Sequence, residues 1–193
     1  MKASEDFWRV FIAVELPAEV RKRITGHIDS LRRELPNVRA SWNRGENLHL
    51  TLKFLGDIAV SRLPALTEAT EAVAQSTKPF ELIIDGGGSF PPRGRPKVLW
   101  IGIEDSFATL LRLHATLEDR CAAAGFAREA RAYHPHLTVA RLRDSSDSRT
   151  LAERHQELGF RSEIVSVSEL VVFRSELRSE GSKHTAVSRH RLQ

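Results

Sequence analysis

Apolar and polar positions alternate along the chain in blocks that predict strands and helices in turn. Trp8 to Leu16 is rich in Val, Ile and Phe and predicts a strand, ended by Pro17. Ala18 to Leu35 carries Val20, Ile24, Ile28 and Leu31 at helical spacing, and Pro36 closes it. Leu48 to Leu55 predicts a second strand that stops at Gly56-Asp57. A helix over Leu63 to Gln75 and a strand over Phe80 to Asp85 follow, then a Gly/Pro-rich loop from Gly86 to Pro96.

The same order then begins again. Val98 to Ile103 predicts a strand. Phe107 to Ala124 predicts a helix, with Leu110, Leu113, Leu117 and Cys121 on one face and Gly125 as its C-cap. His136 to Leu142 is a strand and Ser146 to Leu158 a more charged helix. Ile164 to Phe173 is one bent strand or two short ones. The end is polar, with a short final strand around Thr185 to Ser188.

Strand-helix-strand-helix-strand is thus written twice, in halves of roughly 7–90 and 97–190. Val10 to Glu15 lies against Leu99 to Glu104, and Leu48-His49-Leu50-Thr51-Leu52 against Pro135-His136-Leu137-Thr138-Val139. An internal duplication accounts for both matches. The expectation is a single α+β domain over residues 1–193, with two similar lobes and antiparallel sheets around a central cleft.

Strand side chains alternate between faces. His49 and Thr51 therefore share one face while Leu50 and Leu52 enter the core; His136 and Thr138 repeat this with Leu137 and Val139. Lys53 has the parity of His49 and can join it. Two imidazoles and two hydroxyls facing one another suit phosphate-ester hydrolysis. One neutral and one protonated imidazole supply base and acid near neutral pH. The hydroxyls donate to the oxygens on which charge builds. This chemistry needs no metal or cofactor. Arg141 ends the second motif strand and is placed to grip phosphate. Phe11 and Tyr133 flank the motif strands as stacking partners for a base.

Composition adds little and excludes more. The chain has 193 residues, 41% of them hydrophobic, and a net charge of +4. That suits a globular domain with a mild preference for anionic partners. One cysteine, Cys121, excludes an intrachain disulfide and is expected to be buried packing. No apolar run approaches membrane-spanning length, and the polar N-terminus lacks a secretory signal, so the expected location is the cytoplasm. His134-x-His136 could chelate a metal, but no carboxylate or cysteine cluster accompanies it. His27, His114 and His155 are expected to face solvent from helices, and His184 and His190 from the polar end. Arg93, Arg95 and Lys97 on the Gly/Pro-rich loop could track an RNA backbone. The glycines at 86–88 do not form a nucleotide-binding fingerprint.

The paired His-x-Thr motifs resemble those of the two-histidine phosphoesterases, and more narrowly of the RNA 2′,3′-cyclic phosphodiesterase (2′-5′ RNA ligase-like) branch. Val10 to Pro17, Glu46 to Gly56, Phe90 to Trp100 and His134 to Arg141 carry the resemblance. It implies hydrolysis of RNA 2′,3′-cyclic ends to 2′-phosphomonoesters. It implies His49 as proton donor and His136 as proton acceptor, with Thr51 and Thr138 holding the phosphate and Arg141 contacting substrate; near-symmetry alone would allow the reverse roles. The chain departs from the family pattern at His134 and over Val171 to Phe173 and Lys183 to Thr185. The expected partner is RNA, with no membrane and no obligate protein partner, and the protein is expected to be a monomer. The competing readings are 2′-5′ ligation, a 2′-5′ oligonucleotide phosphodiesterase, and a non-catalytic RNA-binding module.

Overall fold

A computed structural model describes residues 5–106, 108–143, 147–179 and 181–193. Phe107 and Ser146, the predicted starts of two helices, lie outside the described residues. The elements run β1 (Phe7–Glu15), α1 (Ala18–Glu34), β2 (Ala40–Trp42), β3 (His49–Ala59), α2 (Leu63–Gln75), β4 (Phe80–Phe90), β5 (Val98–Glu104), α3 (Thr109–Ala123), β6 (His136–Leu142), α4 (Ser148–Leu158), β7 (Glu163–Val167), β8 (Glu169–Arg178) and β9 (Gly181–Arg191). They form two wholly antiparallel sheets, in the orders β3-β1-β8-β9 and β2-β6-β5-β4-β7.

The helices bury the faces their periodicity marks. Val20, Ile24, Ile28 and Leu31 of α1, and Leu110, Leu113, Leu117 and Cys121 of α3, are all in the core. The Asp105 carboxylate accepts the backbone N–H groups of Thr109 and Leu110 at 2.9 and 2.7 Å, satisfying donors that the first turn of α3 leaves open. Cys121 is fully buried, which pushes its thiol up to about 11.

The sheets do not divide along the sequence halves. β2 and β4 come from the first half but join the sheet of β5 and β6; β8 and β9 come from the second but join β1 and β3. The pairing also re-registers the match between halves. Opposite His49 and Thr51 stand Glu15 and Ala13; opposite His136 and Thr138 stand Gly102 and Trp100. Ala13 thus corresponds to Trp100 in space, two residues from the sequence match.

Three further expectations are corrected. The glycines at 86–88 lie inside β4 rather than in a loop. A Cβ on Gly88 would stand 2.3 Å from the Trp100 ring, and one on Gly87 2.7 Å from His155, so both glycines allow close packing. β3 runs on past Gly56, which takes a φ of 70° at the end of a bulge. The polar end forms a long hairpin, because β9 pairs with β8 from Arg191 to Gly181. Its mostly exposed side chains give no apolar alternation to read.

The histidines expected in solvent are not there. His27 and His155 are buried and bonded to each other at 2.9 Å, and His155 Nε2 donates to the Trp100 carbonyl at 2.9 Å. That donation fixes His155 Nδ1 as acceptor from His27. Burial holds both imidazoles neutral, His27 at about 4. His190 is buried against Glu71, and His114 stacks on Tyr133 with ring centres 3.9 Å apart.

Candidate active site

Each sheet carries one His-x-Thr strand, and the apolar partners point where the alternation predicts. Leu50, Leu52, Leu137 and Val139 are buried, while His49, Thr51, His136 and Thr138 are half-buried on the opposite faces. Beyond each threonine the strand bulges. Ala13 faces Thr51 but Ile12 faces Lys53; Trp100 faces Thr138 but Leu99 faces Ala140. One extra residue on the bulged strand, Leu52 or Val139, reverses the parity that follows.

The bulges decide two side chains. Lys53 does not join His49; it turns into the core, where it is 2% exposed, and its Nζ meets Glu118 at 2.6 Å and the Ala127 carbonyl at 2.9 Å. Glu118 in turn accepts the Glu129 backbone N–H. Conversely, Arg141 comes round to the His136 face, its strand partner Val98 sitting opposite Phe90, whose ring packs edge-on to His136. On the other strand the same position is held by Phe54, which is 54% exposed and packs at 5.8 Å from Phe11. Phe54 was missed by strict alternation; its offset from His49, equal to that of Arg141 from His136, was the available signal.

Short segments brace the two strands together. Only a 3-10 turn over Gly45–Asn47 separates β2 in one sheet from β3 in the other. Asn43, just past β2, donates to the Thr138 carbonyl at 3.0 Å. Tyr133, just before β6, donates its hydroxyl to the Thr51 carbonyl at 3.1 Å. The backbone of each motif threonine is thus held from the segment preceding the other motif.

The structure corrects the base-stacking place given to Phe11 and shows what holds Tyr133. Phe11 is 2% exposed and stacks on both His49 and Phe173, with ring centres at 4.7 and 5.2 Å. Tyr133 has its ring covered by His114 and its hydroxyl engaged. Phe11 offers no open ring, and one face of the Tyr133 ring is taken by His114. His184, expected in solvent, instead stands edge-on to His49, ring centres 5.1 Å apart.

The two histidines have related but unequal surroundings. His136 Nδ1 lies 2.7 Å from the His134 carbonyl, which can only accept. The neutral ring therefore carries its proton on Nδ1 and presents a lone pair at Nε2. Burial lowers the His136 pKa, and the Arg141 guanidinium adds to this. Burial also lowers His49, to about 4, with help from His184; a hydrogen bond to the Asn47 backbone and the charge of Glu15 act the other way. The equivalent position opposite His136 is Gly102, so the carboxylate belongs to His49 alone of the pair. Both rings are neutral at pH 7 in the free protein.

The chain matches the model of the 2′-5′ RNA ligase superfamily over residues 17–178. It is 32% identical over 167 residues to an RNA 2′,3′-cyclic phosphodiesterase of Geobacillus stearothermophilus, covering 86% of this chain but 52% of that protein. This chain therefore spans about half the length of that relative. A protein of the same description from Methanothermobacter thermautotrophicus is 33% identical, with 95% of this chain and 98% of that one covered. Among solved structures, Escherichia coli LigT complexed with 3′-AMP superposes with a TM-score of 0.76 at 27% identity, over 97% of this chain and 99% of that one.

Proposed function

The chain belongs to the 2′-5′ RNA ligase superfamily, and on that premise we propose that it hydrolyses RNA 2′,3′-cyclic phosphate ends through His49 and His136. The observation that carries this reading is the pair of His-x-Thr strands, one from each sheet, each braced through its threonine carbonyl by the segment preceding the other.

In the reaction, a water oxygen attacks phosphorus and the bond from phosphorus to the ribose 3′ oxygen breaks. Nε2 of His136 takes the proton from water, a role its lone pair and the nearby Arg141 charge favour. His49 gives a proton to the departing 3′ oxygen, and the product is a 2′-phosphomonoester. Glu15 supports the protonated form of His49. Thr51 and Thr138 donate to the nonbridging oxygens, and Arg141 adds a bidentate charge-assisted grip. Phe54 offers the open ring on which the terminal base stacks. Phe11 and Tyr133 act as supports for His49 and for the Thr51 strand. None of these steps calls on a metal, and the protein is read as a cytoplasmic monomer acting on RNA.

Phosphorus NMR of the protein with a short RNA ending in a 2′,3′-cyclic phosphate, in EDTA, tests the reading. The expected product is the 2′-phosphate alone. A 3′-phosphate, or activity that returns only with added divalent metal, would overturn it.

The pH profile carries a second expectation. The productive free enzyme holds a proton on His49 and none on His136. With His49 at about 4, kcat/KM falls about tenfold per pH unit as pH rises through neutrality. A bound phosphate anion favours protonated His49 and raises its pKa. The basic limb of kcat therefore lies at higher pH than that of kcat/KM. Coincident limbs in pre-steady-state rates would rule out this proton assignment.

A further inference from the structure

Beside His49 the turn over Gly45–Asn47 and the end of the β8–β9 hairpin enclose a recess of about 290 Å³, lined by Arg44, Asn47, Arg178, Ser182, Lys183 and His184. Its walls are fixed to one another, because buried Asn47 donates from Nδ2 to the Ser182 carbonyl at 2.8 Å. His184 is the wall it shares with the histidine pair, edge-on to His49, and His184 Nδ1 is buried with no hydrogen-bond partner among the described residues. The charge is mainly positive. Glu46 also lines the recess, 3.8 Å from Arg44, and Arg178 lies 3.9 Å from Glu176. The Arg178 contact is long and exposed, so an incoming anion displaces it at little cost.

We propose that this recess binds the RNA phosphodiester on the 5′ side of the terminal ribose, so that the protein selects oligonucleotide ends over nucleoside 2′,3′-cyclic phosphates. The inference rests on the hydrolysis proposed above, and it follows from the direction of that reaction. Attacking and leaving oxygens lie in line on opposite sides of phosphorus. The leaving oxygen belongs to the ribose, and His49 protonates it. The ribose therefore lies on the His49 side, and the chain leads away from it there. The recess borders His49 through His184, whereas the Arg93 loop follows Phe90, which packs on His136. Three cationic side chains then meet one phosphate group within one nucleotide of the reacting bond.

The test compares kcat/KM for a trinucleotide ending in a 2′,3′-cyclic phosphate with that for the matching nucleoside 2′,3′-cyclic phosphate. Wild type, R178A/K183A and R93A are measured in parallel. The wild type is expected to favour the trinucleotide by about tenfold, the worth of one charge-assisted contact. R178A/K183A loses that preference while hydrolysing the nucleoside substrate at the wild-type rate, and R93A keeps it. The slope of log kcat/KM against log salt for the trinucleotide also falls by roughly 0.7 in R178A/K183A. Equal wild-type values for the two substrates, or a double variant equally slow on both, would overturn the subsite and leave the hydrolase reading intact. A wild type that turns over neither substrate would remove the hydrolase reading itself, and the subsite with it.

Discussion

Replacing His49 or His136 by alanine is expected to slow hydrolysis of an RNA 2′,3′-cyclic end by about 10²–10⁴-fold each. The two losses should not add, because acid and base act in one transition state. His49→Ala also removes a ring from the stack with Phe11 and His184, so His49→Gln is the companion variant that keeps the site filled. Initial rates followed by phosphorus NMR, with circular dichroism as the check on folding, measure the effect. Retained RNA affinity with lost turnover would exclude a module that only grips phosphate. A folded H136A or H49Q protein keeping more than a tenth of wild-type activity would mean that the proton transfers run through other groups.

Glu118→Ala is expected to destabilise the protein by about 3–5 kcal/mol, because it strands the ammonium of Lys53 in the core. For a chain of this size that lowers Tm by roughly 6–20 °C. Lys53 follows the β3 bulge directly, two residues after Thr51, so the ion pair also pins the turn of strand that presents His49 and Thr51. The double variant K53M/E118L removes both charges and should recover most of the loss, since apolar side chains of similar size replace the pair at little net cost. Thermal melts of the three proteins decide the matter. An E118A variant melting within a degree of wild type would show that Lys53 reaches water.

Much of the site was legible in local pattern. The spacing of Val20, Ile24, Ile28 and Leu31 gave α1, and the alternation about His49 and His136 gave the right faces for both imidazoles and both hydroxyls. Repetition of that pattern in two apolar frames was the specific signal. Alternation failed two residues past each threonine, at Lys53 and Ala140, so that Lys53 turned inward and Arg141 turned toward His136. A bulge is set by how two strands share hydrogen bonds, and neither strand's residues announce it.

The histidines show the same divide. His27 and His155 lie 128 residues apart in the chain, and their bond depends on α1 and α4 meeting beneath Trp100. His184 reaches His49 because β8 and β9 leave their own half of the chain for the sheet of β1 and β3. The sequence by itself determined the helices, most of the strands and the faces of the two His-x-Thr motifs, since those depend on residues a few positions apart. The tertiary structure alone decided the exchange of strands between sheets, the bulges, and the unequal settings of His49 beside Glu15 and His136 opposite Gly102. Those follow from hydrogen bonding and packing between distant segments, which local periodicity does not encode.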